Sequence, residues 1–496
     1  MLCGRIRLRA GRVWMGLLLA VVASGLAAAG HAADAAEKPN VLLICVDDLK
    51  PLLGCYGDPY AKTPHIDRLA ARSLLFQRAY CNQAVCAPSR NALMTGLRPQ
   101  TLGVYDLATS FRLARPDAIT VGQHFQAHGY KTASLGKIYH TGHGNTDDQA
   151  TWSVPSFRPK RPQYAIDDNA PLPGFKPTKP SDRPRGRPTE AADVGDDFYA
   201  DGQIAAEAVR RLAAAKTSDE PFFLAVGFLK PHLPFIAPQR YWDLYDPAEL
   251  PMPELKEPPA GAPEYAPQFG GELRNYRDVP KGREPLGDDL TRQLIHGYYA
   301  ATSYVDAQIG RVLDALDAEG LADNTIVVLW GDHGWHLGDH GMWCKHTNYE
   351  QAAHIPLLLS MPRGRAGITE ALVETVDLYP TLAELAGLPT PDGLDGRSFA
   401  GVLDNHDAAH RDHVIHVYPR GPRLGRAIRT ATQRLVSWEE PGQLGADPEL
   451  ELYDYAADPL ESRNVAAERP EDVARLQRIL ATHPAAKPAY RPAAKR

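Results

Sequence analysis

The sequence has few cysteines and no strong excess of charge. It contains six cysteines in 496 residues, and its formal net charge is -6. This weakly acidic balance argues against a general attraction to nucleic acid or to anionic membranes. Hydrophobic residues make up 44% and charged residues 23%, which is typical of a globular protein and excludes a disordered one. At this length we expect a large domain accompanied by a smaller one.

Long apolar runs are also scarce, and the longest one lies at the N-terminus. A basic start is followed by an apolar run over 13–29 and then by small residues. This pattern predicts a secretory signal peptide over residues 1–32, cleaved after Ala32. The alternative is a membrane anchor, but the run is short for crossing a bilayer. We therefore expect a secreted or periplasmic protein without a stable membrane anchor.

The number of cysteines left after cleavage is odd. Cys3 would leave with the signal peptide, and the remaining five are Cys45, Cys55, Cys81, Cys86 and Cys344. At least one of these must be unpaired. An unpaired thiol in an oxidising compartment needs a reason, and for Cys86 the reason we consider is chemical modification.

Four apolar runs with strand character are each followed by residues that carry chemistry. Helical patterns over 65–73 and 293–316 lie between them. The alternation predicts an α/β fold with a large, mostly parallel sheet sandwiched by helices. Ligands bind at the carboxyl ends of such strands, so the residues after them should share one site. The runs are 41–46 before Asp47 and Asp48, 131–135 before Lys137 and His140, 222–228 before Lys230 and His232, and 325–330 before Asp332 and His333.

The pattern changes near residue 405. We expect a catalytic domain over 38–405 and a smaller α+β subdomain over 406–496. The subdomain is predicted to contain short antiparallel strands over 414–418, 427–432 and 435–438, and a closing helix over 470–482.

Two proline-rich segments, 155–188 and 251–285, are predicted to be irregular. The first carries eight basic residues. It is either a solvated surface loop or a rim that attracts a polyanionic substrate. These basic residues are Arg158, Lys160, Arg161, Lys176, Lys179, Arg183, Arg185 and Arg187.

The segment Cys86-Ala87-Pro88-Ser89-Arg90 is predicted to begin a helix. Pro88 suits the first turn of that helix and Gly96 suits its end. Residue 86 would then lie where free N–H groups favour an anion. Arg90 lies one turn further on and could donate two hydrogen bonds to an oxyanion. The alternative is that Cys86 is a buried structural cysteine.

Two pairs of residues suggest a metal site. Asp47 and Asp48 form one pair, and Asp332 and His333 form the other. Carboxylate oxygens favour calcium or magnesium, although each pair alone could equally form a turn or a helix cap. A zinc site is an alternative for the histidines, but the glycines between them disfavour the helix that such a site requires. These histidines are His333, His336 and His340.

The motifs together resemble the sulfatase family. The match spans almost the whole chain after the predicted signal peptide and is nearest to the iduronate-2-sulfatase group. The resemblance implies an alkaline-phosphatase-like sulfatase fold with a smaller C-terminal α+β subdomain. The matching segments are Cys86 to Arg90, Gly136 to His140, Lys230 to Phe235, and Gly331 to Lys345.

In that family the motif cysteine is oxidised to formylglycine. The resemblance therefore implies that Cys86 is converted by a formylglycine-generating enzyme or an anaerobic maturase. The hydrated aldehyde has two hydroxyls: one attacks sulfur and the ester oxygen leaves, and deprotonation of the other then releases sulfate as the aldehyde re-forms.

The resemblance also assigns roles to the residues that follow the strands. It implies one calcium ion between Asp47, Asp48, Asp332, His333 and the modified residue 86. Many relatives carry Asn where His333 stands, and histidine is an unusual calcium ligand.

Four basic residues complete the implied machinery. Lys137 and His140 would serve the formylglycine hydroxyls, with His140 as the base. His232 and Lys345 would hold the sulfate, and one of them would protonate the leaving oxygen.

The expected function is hydrolysis of sulfate esters, with 2-O-sulfate on uronic acid residues of a sulfated glycan as the substrate. One alternative is a phosphodiesterase or phosphonate esterase on the same scaffold. Another is a glycan-binding relative without catalytic activity.

Overall fold

The computed structural model describes residues 38–160, 162–171, 185–442 and 448–491. The predicted signal peptide lies outside these residues. Within the described ranges, no helix is both long and apolar enough to cross a membrane. All the described cysteines are free thiols, so none of them forms a disulfide with another.

The strands of the described chain are numbered in chain order. They are β1 (Asn40–Val46), β2 (Leu74–Tyr80), β3 (Lys131–Gly136), β4 (Thr189–Ala192), β5 (Phe222–Phe228), β6 (Phe235–Pro238), β7 (Thr325–Gly331), β8 (His336–Leu337), β9 (Trp343–Cys344), β10 (His354–Ile355), β11 (Leu357–Ser360), β12 (Gly367–Glu374), β13 (His413–Arg420), β14 (Arg423–Thr430), β15 (Gln433–Glu439) and β16 (Glu449–Asp454).

The α-helices are numbered in the same way. They are α1 (Pro64–Ala70), α2 (Cys86–Thr95), α3 (Pro99–Leu102), α4 (Phe111–Ala114), α5 (Val121–Ala127), α6 (Ala200–Ala215), α7 (Gln239–Trp242), α8 (Asp288–Ala318), α9 (Glu350–Ala353), α10 (Leu378–Leu385), α11 (Ala400–Asp404) and α12 (Pro470–Leu480).

The central sheet has eight strands and is largely parallel. Strands β3, β5, β1 and β7 lie side by side and run parallel. Strand β11 joins β7 antiparallel and also pairs with β2. Strands β10 and β12 pair with β2 as well, β10 antiparallel and β12 parallel. The predicted mixed, mostly parallel sheet is confirmed.

Both faces of the sheet are covered because its central strands are apolar on both sides. Odd-numbered residues of β1 pack into one hydrophobic cluster with α2, α5 and α10. Even-numbered residues pack into a second cluster with α1, α6 and α8. Side chains alternate between the faces of a strand, so a strand buried on both faces is a continuous apolar run. This is why β1 has no polar residue between Asn40 and Asp47.

Residues near the C-terminus form a separate antiparallel sheet in the order β13-β14-β15-β16. Helix α12 packs against it through Val473, Leu476 and Leu480. The strand predicted over 427–432 is displaced: β14 begins at Arg423 and ends at Thr430. The reason is the tight turn at Gly421, where φ is 57°, which lets β13 and β14 pair up to Arg420 and Arg423.

The two proline-rich segments contain little regular structure where they are described. Their described parts contain one 3-10 turn each, at Asp167–Asn169 and Leu273–Asn275, and one isolated β-bridge each, at Phe157 and Ala260. Arg161, Lys176, Lys179 and Arg183 of the basic segment lie outside the described residues.

Candidate active site

The candidate site forms where β1, β5 and β7 end side by side. Val46 of β1 pairs with both Phe228 and Gly331, so the residues that follow these strands meet. Asp48 has a φ of 62°, a left-handed conformation that non-glycine residues rarely adopt. Its N–H donates to Asp332 Oδ1 at 3.0 Å. The strained turn thus folds the chain after β1 back toward the end of β7.

Cys86 is the first residue of α2 and is buried. The helix ends at Gly96, whose φ of 66° gives the left-handed cap that glycine favours. The Cys86 Sγ lies 3.3 Å from His333 Nε2 and 3.7 Å from Lys137 Nζ. Burial raises the pKa of this thiol well above its usual value, and nearby Asp47 raises it further. Cys86 as a plain cysteine is therefore a neutral thiol and a poor nucleophile.

Arg90 does not face the cavity as expected. Its side chain is fully buried, with Nε donating to Asp332 Oδ2 at 2.9 Å and a terminal nitrogen donating to Asp47 Oδ1 at 3.2 Å. The other terminal nitrogen donates to the carbonyls of Lys137 and Ile138. Its donors are thus directed at protein acceptors, and none is presented to a substrate oxyanion. Arg90 instead fixes the positions of the acidic residues.

The acidic residues and His333 form a group suited to a cation. Two sets of ligand atoms lie within 4.8 Å of one another: Asp47, Asp48, Cys86 and His232, and Asp47, Cys86, Asp332 and His333. His333 Nδ1 is 3.0 Å from the carbonyl of Gly334, which can only accept a hydrogen bond. Nδ1 is therefore the donor in this contact, and Nε2 faces the acidic group, 3.3 Å from Asp48 Oδ1 and 3.6 Å from Asp332 Oδ1.

The pKa values of two carboxylates in the acidic group are shifted in opposite directions. Burial alone would raise the pKa of Asp47, but the positive charges of Lys137, His232 and Arg90 outweigh burial and hold that pKa well below its usual value. Lys137 Nζ forms a direct ion pair with Asp47 Oδ2. Burial raises the pKa of Asp332 despite the neighbouring Arg90.

The two expected sulfate-binding residues, Lys345 and His232, both lie beside Asp48. Lys345 Nζ is 3.0 Å from Asp48 Oδ1, and His232 Nε2 is 3.8 Å from Asp48 Oδ2. Both also contact Glu272, at 3.1 Å from Lys345 and 3.3 Å from His232. A carboxylate therefore bridges the two residues in this structure.

A cavity of about 460 Å³ lies beside Cys86 and Glu272, which both line it. Cys86, Lys137, His140, His232 and Lys345 all line it. His140 contacts His143, with Nε2 3.2 Å from Nδ1, while its own Nδ1 is buried and has no partner among the described residues. Burial, together with the charge of Lys137, lowers the pKa of His140 to about 3, so the ring is neutral.

The zinc alternative is not supported by the geometry. The residues from His336 onward form a short strand and a 3-10 turn in place of a helix. His336 Nδ1 contacts Asp339, and its Nε2 lies 2.9 Å from Thr347 Oγ1. Among the described residues, His336 and His340 belong to no group with metal-ligand spacing.

Some residues of the site were not expected from the sequence. Glu272 lies in an irregular segment without any motif, and nothing in its spacing identifies it. Asp201, on α6, accepts hydrogen bonds at 2.8 Å from the N–H groups of Leu229 and Lys230, and so anchors the turn that carries His232. Tertiary contacts, which no local sequence pattern indicates, bring these two residues to the site.

A buried acidic group beside the first residue of a helix, next to a cavity lined by basic side chains, is an arrangement suited to hydrolysis of an anionic ester. The family model "Sulfatase" matches residues 39–388, and the model "N-sulphoglucosamine sulphohydrolase, C-terminal" matches residues 338–483. The chain belongs to the sulfatase family and is a sulfuric ester hydrolase.

Individual relatives agree with this assignment. Human iduronate 2-sulfatase is 38% identical over 432 residues, covering 78% of this chain and 76% of that protein. The mouse iduronate 2-sulfatase is 34% identical and covers 90% of this chain and 94% of that protein. The resemblance to iduronate-2-sulfatase within the sulfatase family is confirmed.

Solved structures share the fold. The phosphonate monoester hydrolase of Agrobacterium radiobacter has a TM-score of 0.72 at 24% identity, with 90% of this chain and 94% of that chain covered. A protein solved with its substrate D-glucosamine-2-N,6-O-disulfate has a TM-score of 0.70 at 23% identity, with 90% and 97% covered. At these identities the similarity establishes the architecture alone.

Proposed function

We propose that this sulfatase removes 2-O-sulfate from uronic acid residues of a sulfated glycan, using a nucleophile made from Cys86 and one calcium ion. The observation that carries the proposal is the contact between Cys86 and the buried acidic group at a cavity with cationic walls. The acidic group suits a cation, and the cationic walls suit the sulfate.

Position 86 suits a formylglycine. The side chain is at the first residue of α2, where free backbone N–H groups stabilise an anion. Formylglycine supplies a hydrated aldehyde with a nucleophilic hydroxyl, and the second hydroxyl permits release of the sulfate. Lys137 Nζ lies 3.7 Å from Sγ and is therefore placed to stabilise negative charge on an oxygen at this position.

The calcium ion would be held by Asp47, Asp48, Asp332 and His333 together with the modified residue. Two features support this fit: the carboxylates are buried and offer hard oxygen ligands, and His333 Nε2 faces them while Nδ1 is engaged with the Gly334 carbonyl. When bound, calcium supplies positive charge against the sulfate oxygens and acidifies a nearby hydroxyl. Arg90 and Lys137 keep the carboxylates in place through their ion pairs.

Proton transfer is assigned to residues on the cavity wall. His140 is assigned as the base, because it lines the cavity beside Cys86 and Lys137 and its Nδ1 has no hydrogen-bond partner among the described residues. His232 and Lys345 bind the sulfate oxygens, and one of them protonates the leaving oxygen. Their contacts with Glu272 support this assignment, because the same pair already holds one anionic group.

The substrate class is proposed from similarity. The relatives named iduronate 2-sulfatase are 34–38% identical to this chain over most of its length. A sulfated saccharide with a 2-O-sulfated uronic acid is the substrate that this likeness supports. The required partner is a formylglycine-generating enzyme or anaerobic maturase, and the compartment is extracellular or periplasmic.

The test compares ester positions and ester types on converted enzyme. A disaccharide with 2-O-sulfated uronic acid should be desulfated, and its isomer with 6-O-sulfate on the hexosamine should be turned over at least about tenfold more slowly. Sulfate and phosphate monoesters and phosphonate esters of one phenol are compared in parallel. Preferential hydrolysis of phosphorus esters would contradict the proposal and favour the phosphonate esterase alternative.

The control is the variant C86A, assayed on the same panel. If fully converted wild-type enzyme turns over none of the sulfated glycans tested, the glycan-binding alternative is favoured. A 6-O preference would overturn only the assignment of the sulfate position.

A further inference from the structure

One cation of the catalytic cavity has no role in the chemistry described above. Arg185 belongs to the basic proline-rich segment and lines the same cavity as Cys86. Its neighbour Arg187 does not line that cavity and lies 3.3 Å from Asp278 at the surface. The segment therefore places the Arg185 guanidinium at the wall of the cavity that contains Cys86.

The Arg185 guanidinium is held in a fixed orientation. It lies over the ring of Tyr276, 4.9 Å from the centroid, and NH1 donates to the Tyr276 hydroxyl at 3.1 Å. The same nitrogen is 3.5 Å from Glu272 Oε1. Among the described residues, Nε and NH2 have no hydrogen-bond partner. Stacking and anchoring through one nitrogen thus leave the other donors available to a ligand.

Glu272 fixes the spacing between Arg185 and the sulfate-binding residues. Its Oε1 contacts both Arg185 and His232, and its Oε2 contacts Lys345. The carboxylate of Glu272 therefore lies between Arg185 and the two residues that we assign to sulfate binding, His232 and Lys345. A ligand with two anionic groups on one sugar ring could reach both places at once.

We propose that Arg185 recognises the carboxylate of the sulfated uronic acid; this rests on the proposed function. A guanidinium matches a carboxylate through two parallel N–H···O bonds, which a neutral hydroxymethyl group cannot accept in the same way. In a pyranose uronic acid, the 2-O-sulfate and the carboxylate at C5 lie across the ring from each other. Arg185 is thus the residue that distinguishes a uronate 2-O-sulfate from a hexose 2-O-sulfate.

The alternative explanation is that Arg185 has a purely structural role and only anchors its segment to Glu272 and Tyr276. A structural anchor would affect all substrates alike, whereas a carboxylate-binding residue affects only those that carry a carboxylate. Substrate pairs that differ in that single group therefore separate the two explanations.

The experiment uses a 2-O-sulfated uronide and its carboxyl-reduced counterpart, with the same linkage and aglycone. Converted wild-type enzyme, R185A, R185K and the matched control R187A are compared on both substrates. We expect R185A to lower kcat/KM on the uronide about 10- to 100-fold, mainly through KM, because hydrogen bonds to a charged group are lost. On the reduced substrate the change should stay within about threefold.

The other two variants sharpen the outcome. R185K keeps the charge but loses the paired donors, so it should fall between wild type and R185A on the uronide. R187A removes the same charge two residues away and should match wild type on both substrates.

Three results would overturn the inference. Equal losses on both substrates with R185A would indicate a structural anchor, and unchanged activity on the uronide would indicate a solvated surface charge. If the wild-type enzyme hydrolyses neither substrate, the proposed function itself fails and this inference with it. In the first two cases the wild type still hydrolyses the uronide, and only this inference fails.

Discussion

Arg90 and Asp332 form an ion pair in which neither side chain is exposed to solvent, with Nε 2.9 Å from Oδ2. The same guanidinium contacts Asp47, so one arginine joins the residues after β1 and β7. An unpaired buried charge is costly, and the arrangement therefore makes the geometry of the acidic group dependent on α2. Arg90 therefore positions the carboxylates of Asp47 and Asp332 and does not contact the substrate itself.

Replacing Arg90 should strongly destabilise the protein. We expect R90M to lower the free energy of unfolding by about 3–5 kcal/mol, because buried Asp332 loses its arginine partner and buried Asp47 keeps only Lys137. The measurement is urea unfolding at neutral pH. The matched control is R68A, which breaks the exposed Arg68–Asp314 pair and should cost about 0–1 kcal/mol. Equal losses in the two variants would contradict the role assigned to Arg90.

Calcium should stabilise the folded protein through the acidic group. At a free concentration 100 times the dissociation constant, a bound ion adds about 2.7 kcal/mol. We expect the unfolding midpoint of wild type to rise with calcium and fall with a chelator. D48N should lose most of this response, whereas the exposed control D314N should keep it. The metal assignment would be refuted if calcium did not shift the unfolding midpoint of wild type, or if it shifted the midpoint of D48N by the same amount as that of wild type.

The leaving oxygen should be protonated by either His232 or Lys345. Loss of that acid costs roughly 10²- to 10⁴-fold on a sugar sulfate, whose alkoxide is a poor leaving group. The cost should be much smaller on 4-nitrophenyl sulfate, because nitrophenolate leaves without a proton. Comparing kcat for H232A and K345A on the two substrates identifies the acid. If neither variant shows a loss that depends on the leaving group, the assignment of an acid to this pair is wrong.

A pH effect on stability should arise far from the site, at Asp377. Burial would raise the pKa of this carboxyl, but hydrogen bonds and charges from His410 and Arg411 hold it well below its usual value. A lowered folded-state pKa contributes stability above the unfolded pKa of about 3.9, and that contribution is lost as the pH falls through the folded value.

The variant D377N should therefore be less stable than wild type by about 3–5 kcal/mol at pH 7, since buried Arg411 loses its direct partner and keeps only Glu374, 4.0 Å away. The difference should hold down to about pH 5 and shrink below about pH 4. Urea unfolding at several pH values measures it, with the exposed Asp117 as the control position in D117N. A difference that stays constant or grows in acid would contradict this account.

Much of the central sheet was predictable because its strands are simple in sequence. The run over 41–46 is apolar at every position, as a strand buried on both faces must be, and it corresponds to β1. Strand β2 was not predicted: its sequence, LLFQRAY, mixes polar and apolar residues. Strands β10 and β11 were also missed, because Pro356 separates two very short pieces that pair with β2.

The site shows the same division between local pattern and tertiary contact. Asp47, Cys86 and Asp332 could be named from the sequence because each follows a strand or begins a helix. The orientation of Arg90 could not, since its place one turn after Cys86 is compatible with a solvent-facing or a buried guanidinium. The place of Glu272 in the site could not be predicted from the sequence, because only the path of an irregular segment brings it to Lys345.

The most direct test of the account is mass spectrometry of the peptide that contains Cys86, from protein made in a host with formylglycine-forming activity. The account predicts a peptide about 18 Da lighter than the cysteine form, the change from thiol to aldehyde. It further predicts that sulfatase activity rises in proportion to the converted fraction. A fully active enzyme in which Cys86 remains an unmodified thiol would contradict the central claim.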